Sequence, residues 1–188
     1  MSQIGLRNFY YAILLKDDKT AITYGTPIYV PGLIGADIKP GGNTDTLYAD
    51  DGPYEAAAVL GDIDVTIEMA DLDLNTQAAL LGHTVDSGIM NEKTTDIAPY
   101  VALMFESEKA SGATRYVKLL KGKFSVPESN TKTKDNKVNF QTGKITGKFV
   151  ARINDGAWRR IADTDATGYV ATTGDNWYKA VEPVAAAG

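Results

Sequence analysis

The sequence predicts a mainly β, α+β fold: two packed antiparallel sheets, sandwich-like or barrel-like, flanked by one short helix. Three observations carry this. The dominant hydrophobic period is two, clearest in DIDVTIEMAD, where Ile63, Val65, Ile67 and Met69 alternate with Asp62, Asp64, Thr66 and Glu68. Apolar runs are short and are limited by Gly and Pro punctuation. Only one segment, DLDLNTQAALLGH, has a helical pattern. The 188 residues favour one domain, 1–188, long enough to bury a core without staples.

Taken in order, NFYYAILL alternates Phe9, Tyr11, Ile13 and Leu15 against Tyr10, Ala12 and Leu14. Both faces are apolar, so the strand is covered on both sides or lies at a subunit contact. YGTPIYV and GLIGADIKP are short strands limited by Pro27, Pro31 and Pro40. The stretch 41–60 reads as a long interaction loop, neither strand nor helix, with a tight turn at Asp50-Asp51-Gly52-Pro53. DIDVTIEMAD is a half-buried strand with one polar face. The helix is expected over 74–81, capped by Asp73 or Asn75 and stopped by Gly82, with its apolar residues on a sheet face.

YVALMFES and TRYVKLLKGKFS form a hairpin through EKASGATR. PESNTKTKDNK, 127–137, is a polar, lysine-rich loop. KVNFQTGKITGKFVARIN is a long strand or a bent pair, with Val138 and Phe140 on one parity and Ile145, Phe149, Ala151 and Ile153 on another. Gly143 and Gly147 mark a bulge or a close approach. The C-terminal arm, about 163–188, is anchored by Trp177 and Tyr178 and is ordered only if it docks. The count is about eight to ten strands and one helix.

Composition narrows the chemistry. Without cysteine there is no disulfide, thiolate metal site or Cys nucleophile. No run approaches the ~20 apolar residues of a membrane span. FYYAILL is short for a signal segment and lacks a cleavage site, so it reads as a strand. Charge is segregated: residues 1–114 carry 6 basic and 17 acidic side chains, 115–160 carry 12 and 3, and 161–188 carry 1 and 4. That pattern fits complementary faces of a self-associating subunit, or acidic and basic strands pairing within one monomer.

No catalytic constellation stands up. His83 is the one histidine, and beyond a helix end an imidazole interacts with the dipole or the last carbonyls. DLDLNT starts like a calcium loop, but Thr76 and Gly82 stand where Gly and Glu are required. The Asp62, Asp64 and Glu68 face is not a pocket. GGNTD lacks the phosphate-cradling pattern. The basic segment Arg115–Arg160 contains Tyr116, Phe124 and Phe140, but these fit core parity and the chain as a whole is acidic.

In order, GLRNFYYAIL, YGTP, NTDTLYADDGPYE, DIDVTIEMADL, LLGHTVD, APYVALMF, YVKLLKGKFS and FQTGKITGKF resemble the major tail proteins of long-tailed, non-contractile phages and prophages of Gram-positive bacteria. The similarity runs from about Ile4 to Tyr178. It implies a tail tube fold, hexameric rings, and rings stacked into a tube around a tape measure protein. It further implies contacts with a tail terminator and a distal tail protein, and passage of DNA through the lumen without sequence-specific binding. Neither catalysis nor a cofactor is implied. The expected setting is the virion, after synthesis in the host cytoplasm. The chain lacks the immunoglobulin-like domain that longer relatives append, so tail decoration is not expected of it.

Within that resemblance, Thr46, Leu47, Tyr48, Asp50, Asp51, Pro53 and Tyr54 are expected at contacts between subunits or rings. Asp62, Asp64, Thr66 and Glu68 are the lumen-facing candidates, an acidic wall that repels DNA. The alternatives are an inner-tube protein of a contractile injection system and a monomeric carbohydrate-binding β-sandwich. The latter needs a row of exposed aromatics.

Overall fold

The computed structural model describes residues 3–49, 52–128 and 142–182, with backbone only for 43–49 and 52–59. The strands are β1 (Gln3–Asp17), β2 (Ile22–Tyr24), β3 (Ile28–Val30), β4 (Leu33–Ala49), β5 (Gly52–Met69), β6 (Thr84–Asp86), β7 (Ile89–Asn91), β8 (Val101–Lys109), β9 (Thr114–Phe124), β10 (Gly143–Phe149) and β11 (Arg159–Asp163). Two short helices, α1 (Leu74–Leu81) and α2 (Ala171–Asp175), complete the described elements. The mainly β, antiparallel class is as the alternation indicates. The expected lysine-rich loop, Val138 and Phe140, and the Asp50-Asp51 turn lie outside the described residues.

One nine-stranded sheet runs β2-β1-β8-β9-β10-β5-β4, with β3 also on β1 and β11 also on β9. The second sheet is the small β6–β7 pair. The large sheet curls until β4 lies near β1, but no ladder among the described residues joins them, so no barrel closes. Its concave face holds one apolar cluster drawn from strands far apart in the sheet order: Phe9 and Tyr11 of β1, Ile63, Val65, Ile67 and Met69 of β5, and Phe149 of β10. The four β5 residues are at most 1% exposed, while Asp62 and Asp64 on the other parity are exposed.

α1 keeps the bounds expected for it. The Asp73 side chain accepts from the Thr76 N–H, and Gly82 takes the left-handed conformation with φ 78°. A side chain at Gly82 would also meet the Ile97 carbonyl oxygen at 2.3 Å. Leu80 and Leu81 enter the concave core. β8 and β9 form the expected hairpin. Gly147 is a close approach, since a Cβ there would lie 2.6 Å from the Lys123 carbonyl oxygen. Gly143 lies in an unbroken ladder.

Four expectations are corrected. The 41–60 stretch is not a loop: its backbone forms the β4–β5 ladder, Gly42 opposite Leu60 through Ala49 opposite Gly52. Pro40 does not end its strand. β4 is an edge, where a missing N–H is tolerated, and the ladder shifts register between Pro40 and Gly42. The β10 parity does not continue, because the strand ends at Phe149 and both Ala151 and Ile153 are exposed. A second helix, α2, is present.

The convex face is covered as well. Ala12, Ala102, Met104 and Leu120 form a second apolar cluster with Val181, flanked by Tyr10 and Tyr178. Over residues 9–12 the apolar two-faced strand β1 is thus covered on both sides within one chain, the outer side by the C-terminal segment, while Leu15 stays exposed.

Candidate assembly interface

β5 pairs with β10 only from Ile63 to Met69. Towards Gly52 it has β4 alone among the described residues. Among the described residues β4 has one lateral neighbour along its whole 17-residue length. Such an edge offers unpaired backbone donors and acceptors to another chain. A lone two-stranded hairpin is marginal in water and gains from a surface to lie on. Thr46, Leu47 and Tyr48 fall on β4, and Pro53 and Tyr54 on β5. The ladder sets Leu47 opposite Glu55 and Tyr48 opposite Pro53. Asp50 and Asp51 lie outside the described residues.

The expected acidic wall is corrected by its neighbours. Asp62, Asp64, Thr66 and Glu68 do share the convex side of β5, but β10 places lysines beside them. Lys148 Nζ is 3.1 Å from Asp62 and 3.7 Å from Asp64, and Lys144 Nζ is 3.5 Å from Glu68. Across the sheet, Lys123, Lys148, Asp64 and Lys39 form one row over four strands, and Thr146, Thr66 and Asp37 form the next. The face mixes both charges instead of being acidic. The hydrogen bond to Asp62 raises the Lys148 pKa, and the Thr142 hydroxyl lowers that of Glu68. These pairs are exposed and contribute little to stability.

Where the curl fails to close, the concave face leaves a groove of about 530 Å³. Ile34, Ala36 and Ile38 of β4 form one wall, and Leu6, Phe105 and Val117 form the other. Arg115, Arg159 and Ile161 border it on the β9–β11 side. Arg115 is held by both oxygens of Asp163, at 2.7 and 2.6 Å. Among the described residues no carboxylate lies within 4.0 Å of Arg159, whose guanidinium sits 4.4 Å from the Trp158 ring centroid.

The C-terminal segment docks through Trp177 and Tyr178, the two residues singled out in the sequence, onto partners that the linear sequence did not single out. Trp177 is 7% exposed and packs near Tyr116, while Tyr178 stacks on Tyr10 with centroids 4.6 Å apart. The Tyr178 hydroxyl donates to Glu106, which also accepts from Arg7 and Asn8. Burial first, then the Glu106 charge, pushes the Tyr178 pKa up. Lys118 donates to the Ala180 and Val181 carbonyls, and burial pushes its pKa down to about 8. Arg152, inside the protein, pairs with Asp155 and Glu182. Lys118, Lys121 and Arg152 all come from the basic segment, so part of its charge is spent within the monomer.

His83 does not serve the helix end with its ring. Its Nδ1 lies 2.7 Å from Asp96, which also accepts from the Lys93 N–H, and its Nε2 is buried without a partner among the described residues. The hydrogen bond with His83 lowers the Asp96 pKa. Among the described residues no cluster of three metal-ligating side chains occurs, and no helix is long and apolar enough to cross a membrane.

No protein-family model matches the chain, and no curated protein matches it.

Proposed function

We propose that the chain is a structural subunit of a self-assembling β class, in which free strand edges and a standing hairpin are completed by neighbouring copies. More particularly, it is a phage tail tube subunit that forms stacked, hexameric rings around a tape measure protein. Its tube meets a tail terminator at one end and a distal tail protein at the other, and it carries DNA without acting as an enzyme. The sequence resemblance supplies this particular reading. The single structural observation that supports it is β4, an edge strand of 17 residues whose outer half belongs to a hairpin with no third strand among the described residues. Pairing across such edges removes a liability that a monomer would have to manage.

The β4–β5–β10 outer face suits a lumen in a different way from an acidic wall. Interspersed lysines and carboxylates give no large single-sign field. Such a face has little net attraction for phosphates and lets duplex DNA move. Against the carbohydrate-binding alternative, the exposed aromatic side chains among the described residues are only Tyr29 and Tyr100, which is not a row. The inner-tube alternative shares ring formation and is separated from this reading by a sheath partner. Negative-stain electron microscopy of concentrated purified protein is the test. Rings or tubes are expected. Dispersed monomers at every concentration, with binding to a sugar array, would reverse the reading.

A further inference from the structure

The groove between β4 and β1 has a particular chemistry. Its walls carry Leu6, Ile34, Ile38, Phe105 and Val117 beside the polar Gln3, and Arg159, with no carboxylate within 4.0 Å among the described residues, stands at its border. The end of the β4–β5 hairpin has the complementary chemistry in its sequence. Residues 43–55 include Leu47, Tyr48 and Tyr54, together with four carboxylates and no lysine or arginine. An apolar, anionic segment and an apolar, cationic groove belong to the same chain.

The chain cannot join them within one copy. Ile38 lines the groove and Leu47 lies further along the same strand. At ~3.3 Å per residue the strand carries Leu47 roughly 30 Å from Ile38. Folding back would break the β4–β5 ladder. We propose that the groove receives the hairpin end of a second copy, with the apolar side chains of its walls covering its tyrosines and Leu47 and with Arg159 meeting its carboxylates. Donor and acceptor surfaces differ, so the contact is heterologous. Repetition then yields a closed ring or an open stack, according to the rotation it imposes. This rests on the self-assembly reading above and names the surface that the hairpin engages. The groove also has the size of a small-molecule site, about 300–1,000 Å³. Charge complementarity with the hairpin decides for the second copy.

The absence of cysteine makes the test clean. Tyr48→Cys and Ile161→Cys chains are mixed at assembly concentration, oxidised and run on a non-reducing gel. Leu15→Cys, at a 67% exposed position, replaces Ile161→Cys in the control. A mixed dimer of the Tyr48→Cys and Ile161→Cys chains is expected, well above the control. Arg159→Glu should reduce it by about tenfold, and Arg159→Lys should keep most of it. Circular dichroism melting checks that both Arg159 variants stay folded. Rings or tubes without the cross-link overturn the groove assignment and leave the tube reading intact. A cross-link without rings or tubes keeps the assignment and removes the tube reading. Neither product overturns both. If dodecanoate shields Ile161→Cys from a maleimide and a second copy does not, the groove belongs to a small amphiphile and the assignment is overturned.

Discussion

The two halves of β5 are made of one strand and do different work. From Ile63 to Met69 the strand has a neighbour on each side and buries every second side chain in the concave core. From Gly52 to Leu60 it has, among the described residues, a neighbour on one side only. The inner half stabilises the fold through apolar burial, which is proportional to area and insensitive to partners. The outer half has too little sheet around it to stabilise anything by itself. A strand continued far past its core is explained when another surface completes it.

The comparison can be broken or sharpened by substitutions on each side. The largest loss is expected for Phe149→Ala. Its ring lies over Gly122, where a Cβ would come within 2.3 Å of it, and meets Phe124 edge-on at 6.0 Å. Truncation should cost about 3–5 kcal/mol in urea unfolding.

Asp163→Asn comes next, at about 2 kcal/mol, since that partly exposed carboxylate pairs with Arg115 and with Lys109, which keeps Asp165 as a second partner. The Arg115 hydrogen bond, with Lys109 behind it, holds the Asp163 pKa below the usual range. A depressed carboxylate contributes stability above its unfolded pKa of about 4 and loses it as pH falls through the folded value. Wild type should therefore lose more stability than Asp163→Asn on acidification below about pH 4, read from urea midpoints. Asp73→Ala removes the cap on α1 and should cost about 1 kcal/mol in the same assay.

The smallest stability change is expected on the hairpin side. Replacing 46–55 by an Asn-Gly turn should shift stability by less than about 0.5 kcal/mol and abolish assembly seen by light scattering. A loss comparable to that of Phe149→Ala would make the hairpin part of the core and break the comparison.

Much of the inner half was legible. Alternation from Asp62 to Met69 identified its strand and faces, and Asp73 with Gly82 fixed α1, because periodicity and caps are local signals. The outer half was misread because Ala56, Ala57 and Ala58 have little β propensity and erase the period. Its available signal was Asp51-Gly52, a dipeptide that favours hairpins. Pro40 looked like a stop because edge position is a tertiary property. The acidic face was misjudged for a related reason: Lys144 and Lys148 are some 80 residues away in sequence and reach Glu68 and Asp64 only through the ladder register. The C-terminal latch of Lys118, Arg152 and Glu106 likewise joins distant segments, and no local pattern announces it.

The division of β5 is tested most directly by amide hydrogen exchange of free and assembled protein, resolved by peptide along 33–69. The expected result is fast exchange over 42–49 and 52–60 in the free chain, strong protection there on assembly, and little change from Ile63 to Met69. Equal protection of both halves in the free chain, or a hairpin that still exchanges freely in the assembly, would contradict it.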